Sequence, residues 1–228
     1  IYFTVSTRLK ECFEQNGPLT AAAIQEMDAK DMAALLGLGS GPVAADFTAL
    51  CAAAINELGN KIVKDAGGSF LAFIDQADGS AAKMLQQMAS LPHYRDVHLY
   101  KGREIAFYKR AQIVIADLQL AFRRHFGREL FHDIDRLTIF ADNAVPHVLR
   151  MDGILSYSED LAERIAAGED IPSGSAEEIE IRACAAHAAE QIAAAKNMIA
   201  MDIDHILWHR SAEDPRYKQT PPHRTKTV

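Results

Sequence analysis

The stretch Phe107–Phe126 reads FYKRAQIVIADLQLAFRRHF, and its apolar residues recur at helical spacing over about five turns. On a helical wheel, a wide apolar arc contains Ala111, Val114, Ile115, Leu118, Ala121 and Phe122. A second, narrower cluster contains Ile113, Ala116 and Leu120. A helix that is apolar on two sides usually lies inside a protein. The stretch therefore predicts a central helix in an all-α fold.

The rest of the chain is rich in alanine and has few alternating β-branched runs, which also favours helices. Periodicity and punctuation predict further helices at about 20–36, 43–65, 80–90, 143–151, 158–167, 175–200 and 202–212. Ser175 and Glu178 form a capping-box pattern, in which the serine caps the first turn and the glutamate reaches back. The segment 94–107 reads either as a short hairpin or as an irregular connection. Residues 215–228 are polar and interrupted by prolines, so we expect an extended C-terminal tail.

Length and composition bound the protein class. The 228 residues suit one compact domain, or two small ones that share a core, and we expect a single helical domain over 1–228. The net charge of −7 disfavours stable binding to nucleic acid, although it does not exclude one small phosphorylated ligand. Cys12, Cys51 and Cys184 are scattered and odd in number, so a reducing cytoplasm is expected. The sequence has no membrane-spanning run and no signal-peptide pattern, which predicts a soluble protein. Because the first residue is not Met, we expect that an upstream segment is absent from this sequence.

Two charged residues stand in apolar surroundings. Lys109 lies near the start of the central helix, and Asp142 follows Leu137–Ala141. Burying an ammonium or a carboxylate costs several kcal/mol unless the group is paired or used. These residues are therefore candidates for chemistry.

Each of the two also has a structural explanation. Lys109 could extend to solvent from the helix start, as lysines commonly do. Asp142 precedes a helix that has Pro146 in its first turn, so it could serve only as an N-cap. A carboxylate fixed at a helix start in a cleft could equally oppose a developing cation or orient water.

A resemblance to a known family adds to these observations. The chain resembles the queuosine salvage proteins, the queuosine-5′-phosphate N-glycosylases, from about residue 45 to the C-terminus. The motifs that carry the resemblance are Gly67–Leu71, Tyr94–Val97, Phe107–Ile113 with Ala116 and Asp117, Phe140–Asp142 with Pro146, Val148 and Leu149, Tyr157 with Ser158, Glu180–Arg182, Leu207 with Trp208, and His223 with Arg224.

The resemblance implies a mostly helical fold akin to the helix-hairpin-helix DNA glycosylases. It implies hydrolysis of queuosine 5′-monophosphate to queuine and ribose 5-phosphate. It also implies that Lys109 and Asp142 match the family's essential lysine and aspartate.

The sequence departs from the family pattern in two places. The family's N-terminal segment with closely spaced aromatic residues is not evident beyond Tyr2 and Phe3. This departure indicates either a short branch of the family or a sequence that lacks part of the pocket. Where some relatives have an acidic residue, this chain has His209.

Further residues are candidates for substrate binding. Asp204 and Trp208 are four residues apart on one predicted helix, so a base could stack on the indole while Asp204 accepts a hydrogen bond from its amino group. The alternative is a core tryptophan beside an exposed aspartate. Tyr108 is a possible stacking or hydroxyl contact. His223 and Arg224 could clamp a phosphate, or they could be solvated charges of the tail.

Other patterns predict structure or remain weak. Glu178 and Arg182 have the spacing of a helix-surface ion pair, and we expect Glu180 and Arg182 to be structural. The histidines show no HxxxH or HExxH pattern with a further ligand, so neither a metal nor a cofactor is expected. Two other functional classes remain open: a helix-hairpin-helix DNA glycosylase or DNA-binding module, and a non-catalytic helical interaction protein.

Overall fold

A computed structural model describes residues 2–39 and 41–225 of the chain. These residues form eleven α-helices and one small antiparallel sheet, which confirms the predicted mostly helical class. The chain divides into two compact units, 1–78 and 79–228. The single-domain organisation and the helix-hairpin-helix relationship stay predictions.

In the described residues of the first unit, 2–39 and 41–78, all regular elements are helices. Its helices are α1 (Tyr2–Asn16), α2 (Ala21–Glu26), α3 (Ala29–Leu36), α4 (Pro42–Ala66) and α5 (Phe70–Asp75). The sequence pattern did not predict α1 and α5. Around Met32, Leu36 and Ala52, apolar residues of this unit form a small core.

The prediction of one helix over 20–36 is wrong, because the chain breaks between α2 and α3. Asp28 accepts hydrogen bonds from the backbone N–H groups of Lys30 and Asp31, at 2.7 and 2.9 Å. The Asp31 carboxylate in turn accepts from the N–H of Asp28, which completes a capping box. Asp28 therefore starts a new helix instead of continuing the old one.

The second unit contains the hairpin and the longer helices. Its elements are α6 (Ala81–Ala89), β1 (Val97–Tyr100), β2 (Arg103–Ala106), α7 (Lys109–Phe126), α8 (Ala144–Met151), α9 (Glu159–Ala166), α10 (Ala176–Lys196) and α11 (Ala200–Glu213). Short 3₁₀ turns lie at Pro92–Tyr94, Ile134–Arg136 and Pro215–Lys218.

The segment before α7 is a hairpin, as one of the two interpretations predicted. Val97 pairs with Ala106, and Tyr100 pairs with Arg103. The two turn residues, Lys101 and Gly102, have φ values of 48° and 78°. Positive φ at both positions is typical of the tight turn that matches the twist of antiparallel strands.

Helix α7 is central, but its buried face differs from the predicted apolar arc. The fully buried positions include Gln112 and Gln119, whereas Leu120 is exposed. The Gln112 side chain bonds the Phe107 carbonyl and the Thr138 N–H, and Gln119 accepts from two backbone N–H groups of the following loop. These contacts satisfy both Gln112 and the Gln119 oxygen, whereas Gln119 Nε2 is buried without a partner among the described residues.

The core of the second unit lies among α8, α10 and α11. The α10 residues Ala185, Ala189 and Ala193 are buried at four-residue spacing and pack with side chains of α8 and α11. Small side chains let helices approach closely. After the last 3₁₀ turn, the C-terminal segment pairs with the loop before α10, where the Ile171 N–H donates to the Arg224 carbonyl at 2.7 Å. Residues 226–228 of the predicted tail lie outside the described part of the chain.

Candidate functional site

A cavity of about 410 Å³ lies within the second unit. This volume is in the range of about 300–1,000 Å³ that is typical of sites for small molecules. Its lining residues are Pro92, Arg95, Asp96, His98, Lys109, Arg110, Ala141, Asp142, Asn143, Ser173, Glu178, Arg182, His223 and Thr225. The cavity therefore brings together Lys109, Asp142 and His223 from the set of predicted site residues.

Lys109 is the first residue of α7, and its backbone N–H donates to Asp96 Oδ2 at 3.1 Å. Its side chain is half-buried. Among the described residues, no carboxylate lies within salt-bridge distance of the ammonium group. The preceding residue, Tyr108, has φ 50° and ψ 35°, in the left-handed region that non-glycine residues seldom adopt. Such backbone strain frequently accompanies functional sites.

Asp142 lies at the start of α8. One carboxylate oxygen, Oδ1, accepts hydrogen bonds from the N–H groups of Ala144 and Val145, at 2.8 and 2.9 Å. The helix formally begins after Asn143, whose side chain does not cap it. Asp142 therefore caps the helix as predicted, although it stands one residue before the formal N-cap position. Its Oδ2 has no hydrogen-bond partner among the described residues, so that oxygen can face a ligand.

Arg182, on α10, lines the same cavity as the two candidate residues and is 3% exposed. Its guanidinium donates to both carboxylate oxygens of Asp96, to Glu178 Oε1 at 3.1 Å, and from Nε to the Ala141 carbonyl at 2.9 Å. The guanidinium also lies over the Phe107 ring, 4.0 Å from its centroid. A planar guanidinium suits this fixed, multiply bonded arrangement better than an ammonium would.

The Glu178–Arg182 pair is fully buried, so the prediction of a helix-surface pair is wrong. Glu178 is 0% exposed, and its second oxygen accepts from the Gly174 N–H at 3.2 Å. Ser175 caps α10 as predicted, by accepting from the Glu178 N–H. The glutamate accepts from the Gly174 N–H and not from that of Ser175, which donates to the Pro172 carbonyl at 3.1 Å. Glu180, by contrast, is exposed and bonds the Tyr100 hydroxyl.

Asp96 connects the hairpin to this network. Burial raises its pKa, but the hydrogen bonds and charge of Arg182 outweigh burial and hold the pKa below the usual value. His98 Nε2 lies 3.0 Å from the other carboxylate oxygen of Asp96. An ionised Asp96 can therefore hold both Arg182 and the start of α7.

His223 lines the cavity and is 3% exposed. Burial, with the nearby charges of Arg182, His147 and Lys109, lowers its pKa to about 4. The imidazole is therefore neutral at pH 7. Its Nδ1 is buried without a hydrogen-bond partner in the described structure. A buried polar atom without a partner is uncommon, which makes His223 a candidate for a ligand contact at the cavity wall.

Arg224 does not join His223 in the cavity, so the structure does not form the predicted phosphate clamp. Its side chain is 65% exposed and lies 3.5 Å from Asp170. Successive side chains of an extended segment point in opposite directions, which places Arg224 outside when His223 lies inside.

Asp204 and Trp208 also do not line the cavity. Asp204 is 5% exposed, and its Oδ1 accepts from the Phe140 N–H at 2.7 Å. Burial raises the pKa of Asp204 to about 7, against the opposing effect of that hydrogen bond, and the charge of Asp142 raises it further. Trp208 is half-buried and contacts His209 edge to face, with 5.4 Å between ring centroids. Base recognition by these two residues stays a prediction.

Tyr108 lines a different cavity of about 170 Å³, together with Phe107, Gln112 and Thr138. Tyr108 and Lys109 therefore line different cavities, although they are adjacent in the sequence. Its role as a substrate contact also stays a prediction.

Two arginines in the cavity were not predicted as site residues. Arg95 follows the 3₁₀ turn, and Arg110 follows Lys109 in α7. Burial lowers the pKa of Arg110, against the opposing charge of Asp96. The Arg110 guanidinium makes no hydrogen bond to any described residue. Its adjacency to Lys109 and its place in the Phe107–Ile113 motif were the signals in the sequence that could have indicated Arg110.

The described residues show neither of two other kinds of feature, a metal centre or a membrane-spanning helix. No group of three or more His, Cys, Asp or Glu residues in 2–39 and 41–225 is placed to hold a metal ion. Within the same ranges, every helix is too short or too polar to cross a membrane.

Comparison with known proteins gives consistent matches. The sequence model of a family described as queuosine salvage protein matches residues 1–228. A Sphaerobacter thermophilus protein named queuosine 5′-phosphate N-glycosylase/hydrolase is 36% identical over 235 aligned residues, which cover 100% of this chain and 71% of that protein. Proteins with the same name from Bos taurus and Dictyostelium discoideum are 40% and 36% identical, over 60% and 76% of this chain.

The matched regions cover 40% of the Bos taurus protein and 56% of the Dictyostelium protein, so the chain spans about half the length of these two relatives. The family model nevertheless covers every residue of the chain, including Lys109, Asp142 and the rest of the cavity lining. The chain belongs to the queuosine salvage protein family.

Proposed function

We propose that the protein hydrolyses the N-glycosidic bond of queuosine 5′-monophosphate and releases queuine and ribose 5-phosphate. The observation that carries this proposal is the placement of Lys109 and Asp142 on one cavity, each at the start of a helix. The names of the relatives support the choice of substrate.

Asp142 supplies the charge that this reaction requires. Cleavage of an N-ribosyl bond spreads positive charge over C1′ and the ring oxygen of the sugar. A carboxylate beside that face stabilises the transition state more than the ground state. Because two backbone N–H groups hold Oδ1, Oδ2 is left to face the sugar cation or to orient the attacking water.

The leaving base makes this electrostatic contribution important. In the 7-deaza ring of queuine, position 7 is carbon and cannot accept the proton that helps an ordinary purine to leave. Assistance must therefore come from hydrogen bonds at other atoms of the base. The neutral His223, with its unpartnered Nδ1, is one group in the cavity that can make such a bond.

The positive side chains of the cavity suit the 5′-phosphate. Arg182 is neutralised by its two carboxylate partners, Asp96 and Glu178. Arg95, Lys109 and Arg110 then remain as cationic groups against the single carboxylate of Asp142. The lining has four Lys or Arg residues and three Asp or Glu residues, so it carries one net positive charge, which favours an anionic phosphate. Arg110 has donors available for it. We assign Arg95 and Arg110 to the phosphate.

Lys109 lies between these two functions. Its ammonium can contact the sugar or the phosphate and oppose the charge of Asp142. A hydrolase of this kind needs no covalent lysine intermediate, so we assign a polar contact to Lys109 and not a Schiff base.

The test is to incubate the protein with queuosine 5′-monophosphate, queuosine and duplex DNA, and to follow free queuine and released bases by mass spectrometry. We expect queuine from the monophosphate and much less from the nucleoside. Release of a base from DNA, or of nothing by a folded sample, would refute the proposal. The acidic net charge of −7 opposes a DNA substrate.

A further inference from the structure

A chain of hydrogen bonds connects the backbone at Lys109 to the backbone beside Asp142. The Lys109 N–H donates to Asp96 Oδ2, and Arg182 donates to both oxygens of the same carboxylate. From Nε, Arg182 then donates to the carbonyl of Ala141, the residue before Asp142. We propose that the Asp96–Arg182 pair is a positioning device that fixes Lys109 and Asp142 relative to each other for the glycosidic cleavage proposed above.

The position of the pair favours this role. α7 and α8 begin in different parts of the sequence, and α10 supplies the arginine that joins the segments before them. Both ends of the connection are backbone groups, one belonging to Lys109 and the other adjoining Asp142. A displacement of about 1 Å between reacting groups can lower a rate by about 100-fold, so such a connection matters for catalysis.

Direct substrate binding by Arg182 is disfavoured by its hydrogen bonds. Its four bonds to oxygen use four of the five guanidinium N–H groups. The face of the guanidinium rests on the Phe107 ring. Asp96 and Glu178 also neutralise its charge. Arg182 therefore orients other groups and has little capacity left for a phosphate.

Asp96→Asn is the informative variant. Asparagine keeps the volume of the side chain, and Glu178 stays paired with Arg182, so no buried charge is left alone. The amide has only one acceptor oxygen and cannot accept both from Lys109 and at two positions from Arg182. The connection is thereby weakened at one point.

The matched control is Glu177→Gln. Glu177 accepts two hydrogen bonds from Arg164, at 2.9 and 2.6 Å, and it lies on the same helix as Arg182 without lining the cavity. This variant weakens a similar two-pronged ion pair away from Lys109 and Asp142. It should leave kcat and KM unchanged.

The experiment combines kinetics with hydrogen exchange followed by mass spectrometry. For Asp96→Asn we expect kcat on queuosine 5′-monophosphate to fall by about 10- to 100-fold while KM changes by less than about threefold. Amide exchange should rise both at 107–112 and at 139–145. The described hydrogen bonds of Asp96 go to Lys109, His98 and Arg182 and not to 139–145, so faster exchange in that segment would report the connection through Arg182.

Three results would overturn the proposal: an unchanged kcat, a rise in KM alone, or faster exchange confined to 107–112. If the wild type releases no queuine, the proposed function fails, whereas the exchange at 139–145 still decides whether the connection exists. Arg182→Lys provides a second variant if Asp96→Asn does not fold. Lysine keeps a charge beside Glu178 but cannot reach Asp96 and Ala141 together. We therefore expect the same fall in kcat and the same faster exchange at 107–112 and 139–145.

Discussion

The carboxylate of Asp204 accepts a hydrogen bond from the backbone N–H of Phe140 at 2.7 Å. A buried side chain of α11 therefore holds the chain two residues before Asp142. Arg182 holds the next residue through the Ala141 carbonyl, at 2.9 Å. The approach to Asp142 is thus fixed from two helices, and the side chains that fix it carry opposite formal charges.

The raised pKa of Asp204 predicts a specific dependence of stability on pH. Burial raises this pKa to about 7 from 3.8, and Asp142 adds to the rise while the Phe140 N–H and Lys109 oppose it. The folded state then binds the proton more tightly than the unfolded state. The stabilising contribution is complete below about pH 3.8 and is lost as the pH rises through about 7. In Asp204→Asn, which can still accept from Phe140, this loss should disappear.

The measurement is urea unfolding of the wild type and Asp204→Asn at intervals from pH 4 to 8. His223 acts in the opposite direction, because burial and the charges of Arg182, His147 and Lys109 lower its pKa to about 4 from 6.5. Its contribution is complete above about pH 6.5 and is lost as the pH falls through about 4. Both proteins contain His223, so its contribution cancels in the comparison. Because only the wild type loses the contribution of Asp204, the variant should gain stability relative to the wild type as the pH rises. Parallel curves for the two proteins would contradict the assignment.

Two substitutions of Asp142 should distinguish its proposed catalytic role from its role at the start of α8. Asparagine at this position retains an oxygen for the N–H groups of Ala144 and Val145, whereas alanine does not. We expect Asp142→Asn to unfold at a urea concentration close to that of the wild type. Asp142→Ala should lose about 1 kcal/mol of unfolding free energy. Equal losses in the two variants would show that the capping contact contributes nothing.

Arg110 should affect recognition of the phosphate. Replacement of Arg110 by Gln removes a charge-assisted contact, so KM for queuosine 5′-monophosphate should rise by about 10-fold or more. The weaker reaction with the nucleoside should change little. The control is Arg224→Gln, since the Arg224 side chain is exposed and pairs with Asp170. A larger effect of Arg224→Gln would restore the predicted phosphate clamp and contradict our assignment.

Gly174 lies against the histidine that contacts Asp96. Its φ is +73°, and a Cβ at this position would lie 2.9 Å from His98 Nδ1. Gly174→Ala should therefore destabilise the protein by about 1 kcal/mol or more and also lower kcat by displacing His98. Gly168→Ala is the matched control, because Gly168 has φ +76° and nothing within 4 Å of the added Cβ. The same kcat in both alanine variants would show that the position of His98 is unimportant.

The sequence was informative about the helices and about two residues that the structure brings to one cavity, whose roles in the reaction stay predictions. Periodicity located α7, and the isolated charges of Lys109 and Asp142 indicated the cavity on which both lie. The prediction of a Ser175 cap at the start of α10 is also confirmed. These features are local, so a short stretch of sequence contains the information that determines them.

The remaining site residues depend on contacts between distant segments. Asp96 and Arg182 are separated by 86 positions, and spacing alone made Arg182 resemble a surface residue. The proposed face of Asp204 and Trp208 followed from helical geometry, but the sequence could not show that Phe140 would bond to Asp204. Likewise, the break between α2 and α3 depends on one aspartate that caps a helix inside an otherwise helical pattern.

The most direct test of the account is the single-turnover rate of queuine release from queuosine 5′-monophosphate by the wild type and Asp142→Asn, with Lys109→Met alongside. We predict rapid release by the wild type, a rate reduced by about 100-fold or more in Asp142→Asn, and a large loss of rate in Lys109→Met, all with folded protein. Release by folded Asp142→Asn at the wild-type rate would contradict the central claim that this carboxylate stabilises the transition state of the reaction.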